Sequence, residues 1–360
     1  MSEKLKVALL GFGQAAQYLH LPVLTGLSQV ELVAIAEPRS ACKEAAKAAC
    51  PAVAVFESYQ TLLSETDPDA VVIALPNDLH VPAAKAAFAR KKHVYLEKPI
   101  ATSLAEARSL IPTWRASGRV GMIGHNYRFG MMQQSAHSAI AAKSIGEIIT
   151  LQTVFSGNAH ALPDWKRERA TGGGALLDLA SHHFDLVCWL VDSLPATVSC
   201  CLRSMSSEDD TAIVQLQFEN GVTAQIMASL CAGDNDRLEV YGTKGRLVID
   251  RYRSDRVEVH PKSLNRVRAL RFANAAKALA SPSYWRGKLP GAGPENSFWC
   301  ALDEFATAAL ENRSTKPDLI DGLRSLSLVA AAEEAAAKGC EVRIRPMDLE
   351  ERTGDESPVG

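Results

Sequence analysis

The stretch LKVALLGFGQAAQYLH, Leu5 to His20, constrains the fold more than any other part of the chain. Its first six residues form an almost continuous apolar run, which reads as a strand buried on both faces. Two glycines then pass the chain into a helix starting near Gln14. A strand covered on both sides needs helices above and below it, as in a parallel, doubly wound sheet. The next hundred residues repeat the pattern: VELVAIA (30–36), AVVIAL (70–75), HVYLE (93–97) and VGMIG (120–124) alternate with alanine-rich helical stretches such as SACKEAAKAA and VPAAKAAFARK. The expected first domain, residues 1–124, is therefore α/β.

After about residue 125 the pattern changes. IGEIITLQTVF, ATVSCCLRS, DTAIVQLQFENGVTAQIMAS and DRLEVYGTKGRLVIDRY alternate in polarity and are joined by Asn-Gly and Lys-Gly turns, the mark of an antiparallel-rich sheet. Residues 125–345 are expected to be an α+β domain, with the helix that opens near Gly172 laid on one face of that sheet. Residues 346–360 read as a frayed tail. A length of 360 residues, about twice a typical domain, agrees with two domains.

Composition narrows the partners. A net charge of −2 with 22% charged and 47% apolar residues is that of an ordinary soluble protein, with no nucleic-acid or membrane partner expected. No run approaches the roughly 18 apolar residues of a spanning helix. The opening MSEKLKVALLGF has no long apolar leader, so a cytoplasmic location is expected. The 8 cysteines lack CxxC pairs and zinc-site spacing, so reduced thiols and no metal are expected. Segment 251–288 carries about ten basic residues against two acidic ones; it is either a solvated surface or a face for an acidic partner.

Gly11, Gly13 and Ala16 form GxGxxA between a strand and a helix, the setting a dinucleotide fingerprint requires. Gly11 permits the tight turn, Gly13 lets the backbone approach a pyrophosphate, and Ala16 allows close helix packing. The turn residues Phe12, Gln14 and Ala15 complete the phosphate-binding candidates, because a helix N-terminus presents free N–H groups. Glu37, about 24 residues after Gly13 at the end of the second strand, can accept hydrogen bonds from ribose hydroxyls and favours NAD. Arg39 and Ser40 keep NADP possible if Glu37 swings away. Pro76, Asn77 and His80 in LPNDLH, and Glu97, Lys98 and Pro99 in LEKP, follow other strands, where α/β sheets bind ligands.

Within GGGALLDLASHHFD, Asp178, Ser181, His182 and Asp185 fall at i, i+3, i+4 and i+7, one polar stripe on an otherwise apolar helix. His183 lies about 100° off that stripe and is expected to be structural. Charged groups on a buried element cost free energy unless partnered, so the stripe needs a destination.

GFGQAA, LPNDLH, LEKP, GEI at 146–148 and GGGALLDLASHHFD together resemble the glucose-fructose oxidoreductase/inositol dehydrogenase/MocA family, in order and spacing from about Lys4 to Arg345. The resemblance implies an N-terminal Rossmann domain and a C-terminal α+β domain. The latter's large open sheet often mediates dimers or tetramers, so a homodimer or homotetramer is expected. It implies hydride transfer between NAD(P) and a secondary hydroxyl of a sugar, sugar derivative or cyclitol. The family's EKP lysine corresponds to Lys98, and its aspartate and histidine to Asp178 and His182. Ala180 departs from the glycine many relatives carry.

The chemistry agrees with those residue types. Oxidising an alcohol needs a base for the hydroxyl proton, and an imidazole such as His182 exchanges protons near neutrality. Asp178 could orient that imidazole or bind a substrate hydroxyl. Lys98 could hydrogen-bond the reacting oxygen, and it competes for the proton step because an oxidised nicotinamide and partial desolvation both disfavour its charge. Asn126 and Arg128 could reach substrate or form an inter-domain ion pair. Asp164, Trp165 and Lys166 could line a sugar pocket, Trp165 offering an apolar face. Two rivals stay open: redox-assisted glycoside cleavage with tightly held NAD, and a non-enzymatic sensor of the same fold.

Overall fold

The computed structural model describes residues 4–158, 167–254, 256–262 and 296–345. Strands β1 (Leu5–Leu10), β2 (Val30–Ala36), β3 (Ala54–Phe56), β4 (Ala70–Ile73), β5 (His93–Leu96) and β6 (Gly121–Ile123) form one parallel sheet in the order 3-2-1-4-5-6. The strand order reverses between β1 and β4, and this switch point opens the crevice where such sheets bind ligands. The short β3 was not anticipated from periodicity.

Both faces of this sheet are buried, as the apolar runs require. Ala8 and Leu10 of β1 join the core shared with Val71, Ile73, Val94 and Leu96. Val7 and Leu9 point the other way and pack with Val72, Tyr95, Phe305 and Ala308. One face carries α3 (Tyr59–Glu65), α4 (His80–Ala89) and α5 (Leu104–Ser117). On the other lie a π-helical turn, Ala16–His20, with its continuation α1 (Leu21–Gly26), and α2 (Ser40–Ala49). A distant segment, Asn296–Glu311, closes the same face. The division of the chain near residue 125 is thus crossed in space.

The second sheet has eight strands: β7 (Ile148–Asn158), β8 (Pro195–Arg203), β9 (Thr211–Phe218), β10 (Thr223–Ser229), β11 (Cys231–Gly242), β12 (Gly245–Asp250), β13 (Glu258–Pro261) and β14 (Val342–Arg343). Their order is 13-12-11-7-10-9-8-14, antiparallel except for β7 beside β10. Alternation decides its faces. Val198, Leu216, Ala224 and Ile226 are buried against helices. The opposite face presents cross-strand rows: Thr197, Gln217, Thr223 and Thr150, then Ser199, Gln215, Gln225 and Gln152.

Among the described residues four further α-helices remain: α6 (Met131–Ala141), α7 (Ser181–Val191) with a π-helical turn before it (Leu176–Ala180), α8 (Asn296–Glu311) and α9 (Leu319–Lys338). Asp318 and Asp321 form a reciprocal capping box that starts α9, and Gly339 at φ +65° ends it. Among the described residues no helix is long and apolar enough to cross a membrane.

Candidate active site

The first turn after β1 leaves no room for a side chain at Gly11. Its φ is +96°, and a Cβ there would lie 2.4 Å from the Ala74 carbonyl oxygen beyond β4. Two backbones therefore meet at the switch point. Ala16 is fully buried beneath the π-helical turn, as close packing of that turn on β1 demands. Gly13, Gln14 and Ala15 sit at the mouth of the turn, where first-turn N–H groups lack intrahelical partners. Phe12 is buried, so at this turn only its backbone is presented.

Glu37 lies at the end of β2, buried, with both oxygens in use. Oε2 accepts from Phe12 N at 2.7 Å and Arg39 Nη2 at 2.9 Å; Oε1 accepts from Arg39 N at 2.9 Å and Arg39 Nε at 2.8 Å. Burial opposes its ionisation, but the Arg39 contacts and the Phe12 N–H outweigh that and hold the carboxyl below its usual range. A ribose hydroxyl would have to displace Arg39, whose side chain is largely exposed.

Loops after β4 and β5 complete the crevice. Asn77 donates from Nδ2 to the Gly172 carbonyl at 3.3 Å, and the absent Gly172 side chain leaves space for the Asn77 amide. His80 faces two carbonyl oxygens, Pro99 at 2.7 Å and Leu75 at 2.9 Å, so it ties the LPNDLH loop to the LEKP loop. Burial lowers its pKa, and a neutral ring donates to one of these carbonyls at a time. His80 thus shapes the cofactor crevice from behind. Glu97 is turned inward, its Oε1 2.9 Å from His20 Nε2, while Oε2 accepts from Lys98 N at 3.1 Å. Burial opposes its charge, yet His20 and Lys98 together hold its pKa below the ordinary value.

Lys98 projects from the end of β5 to the second domain. Its Nζ donates to the Asp178 carbonyl at 2.7 Å and to Asp178 Oδ1 at 3.1 Å. His182, one turn later, stacks on Tyr127 with 4.8 Å between ring centres and 20° between planes. His125 and Phe155 approach it edge-on, each at 6.4 Å. Burial first, then the Lys98 charge and those of His125, His183 and Arg251, push the His182 pKa well below its usual value. The ring is a neutral imidazole at physiological pH, able to accept a proton.

The polar stripe therefore has three destinations. Asp178 meets Lys98 at the crevice, and His182 lies near enough to feel the Lys98 charge. Ser181 turns back, donating to the Leu177 carbonyl at 2.7 Å. Asp185 is buried against Arg128, accepting from Nη2 at 2.6 Å and from Nε at 2.9 Å. Arg128 Nη2 also reaches Asp321 Oδ1 at 3.1 Å, so Arg128 is held in an ion-pair cluster with two carboxylates inside the second domain rather than in a pair between the domains. Asn126 likewise donates to Ser297 Oγ at 2.8 Å rather than lying bare in the crevice. Both are committed because their donors are buried and must be paired. His183 is buried among Tyr127 and Phe155, away from Lys98. Trp165, with Asp164 and Lys166, lies outside the described residues, as does most of the basic segment.

Tyr127 and His125 flank Asn126 in the sequence GHNYRF, residues 124–129, and carry no motif that marks them as site residues. Asp236 and Arg251 carry no motif. Pairing of β11 with β12 brings them together, with Arg251 N donating to the Asp236 carbonyl at 3.0 Å.

Residues 5–125 match a family model described as an oxidoreductase family with an NAD-binding Rossmann fold, and residues 133–248 match one described as a GFO/IDH/MocA C-terminal domain. A 1,5-anhydro-D-fructose reductase of Ensifer adhaerens is 30% identical over 292 residues, covering 78% of this chain and 81% of that protein. Among solved structures, the WlbA dehydrogenase from Bordetella pertussis in complex with NADH and UDP-GlcNAcA superposes with a TM-score of 0.80 at 21% identity, covering 96% of this chain and 99% of its own. A levoglucosan dehydrogenase complexed with NADH and levoglucosan gives 0.80 at 22%, covering 95% and 100%.

Proposed function

The chain belongs to the GFO/IDH/MocA family of oxidoreductases with an NAD-binding Rossmann fold, and from that premise we propose that it moves hydride between NAD(P) and a secondary hydroxyl of a sugar, sugar derivative or cyclitol. The carrying observation is the meeting of Lys98 with Asp178, one helical turn from a neutral His182, at the end of a strand beside the switch point. When bound, the nicotinamide supplies the carbon that accepts or returns hydride.

The chain's own residues handle everything else. Asp178 holds the Lys98 ammonium through two acceptors, leaving it one N–H to donate to the reacting oxygen. His182 accepts the hydroxyl proton as the carbonyl forms, and returns it in the reverse direction. Asp178 acts as the anchor of Lys98. NAD is the expected cofactor, and NADP is served if Arg39 leaves Glu37 for a 2'-phosphate. The same reading includes a cytoplasmic location and a homodimer or homotetramer formed through the second sheet's glutamine- and threonine-rich open face.

The test is a matrix of NAD and NADP against cyclitols, aldoses, uronic acids and glycosides, followed at the nicotinamide absorbance. Stoichiometric change with a polyol supports the reading. Glycoside cleavage at constant absorbance replaces it with redox-assisted elimination. Absence of both turnover and cofactor binding overturns it.

A further inference from the structure

We infer that Tyr127 is a positioning residue for His182, anchored from behind by Asp236 and Arg251. The inference rests on the reading of His182 as the proton-handling group. An imidazole that must swap a proton with substrate needs a defined ring plane, and the terminal torsion of histidine is broad. A carboxylate partner is the common solution. Here Asp178 is turned to Lys98, and His182 Nδ1 is buried without a hydrogen-bond partner. The plane is set by packing instead: Tyr127 lies almost parallel beneath the ring, with His125 and Phe155 at its edges.

Tyr127 can serve as a fixed plate because its far end is tied. Its hydroxyl donates to Asp236 Oδ2 at 2.9 Å and accepts from Arg251 Nη1 at 2.5 Å, and Arg251 Nη1 also reaches Asp236 Oδ2 at 2.5 Å. The Arg251 guanidinium carbon lies 4.6 Å from the Tyr127 ring centre, within cation–π range. Tyr127 and Asp236 are buried, and Arg251 is half-buried.

Orientation by stacking has a chemical consequence. It leaves both imidazole nitrogens uncommitted and adds no negative charge that would favour the imidazolium. The charged and titratable groups around His182 divide accordingly. Lys98, His125, His183 and Arg251 face it as cationic or potentially cationic neighbours. The carboxylates of Asp178, Asp185 and Asp236 are each held by a cation, respectively Lys98, Arg128 and Arg251. A neutral, correctly tilted ring is what an acceptor of the hydroxyl proton requires.

The experiment uses the full chain with isotope-labelled histidine rings, and the His182 signals are assigned by their loss in His182→Gln. It needs neither cofactor nor substrate, so its failure is distinct from failure of the oxidoreductase reading. In the unaltered protein the His182 ring protons are expected upfield from the stack, with a titration midpoint below 6.5, and Tyr127→Phe, which keeps the ring but cuts the tie to Asp236 and Arg251, should retain only part of that displacement. Tyr127→Leu should abolish the upfield displacement and raise the midpoint by about one pH unit or more. With a substrate in hand, Tyr127→Leu should lower kcat about 10²-fold with little change in KM, and Tyr127→Phe, which keeps the stack without the anchor, should restore it only in part. If circular dichroism shows Tyr127→Leu unfolded, Tyr127→Met makes the same comparison. His182 shifts and titration identical in the Leu or Met variant and in Tyr127→Phe would overturn the inference.

Discussion

Lys98 and His182 divide the work at the residue scale. Lys98→Met removes the donor to the reacting oxygen while leaving the glycine turn and Glu37 intact. Turnover should fall by about 10²- to 10⁴-fold, with NADH binding by fluorescence changed only a few-fold. The sign of the pH dependence follows from the lowered pKa of His182. Its proton-accepting form persists as pH falls through 6.5, so kcat/KM for oxidation should hold there and decline only at more acidic pH. A profile falling with a midpoint at 6.5 or above would contradict the buried, cation-faced ring. Lys98, Asp178 and His182 were legible because strand ends and helical spacing place them. Tyr127 was not: a tyrosine between Asn126 and Arg128 shows no periodic pattern that points to His182 until its ring is seen beneath the imidazole.

Element boundaries supply the next level of control. Arg128, just beyond β6, joins Asp185 of α7 to Asp321 in the first turn of α9, so one guanidinium pins three elements. Asp321 also caps α9, and Lys316 sits 3.3 Å from its other oxygen. Burial opposes its charge, but Arg128 and Lys316 hold the carboxyl down at about 2. Arg128→Met leaves two buried carboxylates short of a partner and should cost about 3–5 kcal/mol, read as a lowered urea midpoint. Gly11→Ala acts on the β1 turn, where a methyl 2.4 Å from a carbonyl oxygen forces the loop open. NADH binding by fluorescence should fall sharply while circular dichroism stays helical. The glycine turn was readable from the sequence. The fate of Arg128 was not, because its partners lie 57 and 193 residues away.

For the whole molecule, burial of neutral histidines links stability to acid. His93 and His183 are pushed down to about 4, His183 by burial and His93 by burial and then by Arg119. Their folded values lie below the unfolded 6.5, so the unfolded chain binds more protons as pH falls. Stability present above pH 6.5 is lost between about 6.5 and 4, at up to about 1.4 kcal/mol per group per pH unit. Urea midpoints at pH 7 and 5 measure the slope, and His183→Gln should flatten it. The core itself joins distant parts: α8 closes a face of the first sheet with Phe305 and Ala308 against Val7 and Leu9.

Local patterning was enough to determine the parallel sheet, the glycine turn at its switch point, the alternating second sheet and the polar stripe on α7. Each depends on periodicity or on a backbone conformation that few residues adopt, and those are properties of neighbours in the chain. Only the tertiary structure decided which members of the stripe face the crevice, that Arg39 covers Glu37, that Arg128 is an internal clamp, and that Tyr127, Asp236 and Arg251 stand behind His182. These depend on which buried charge finds which partner. That choice is made by three-dimensional packing, between partners from two to 193 residues apart, and sequence spacing does not say which of them meet.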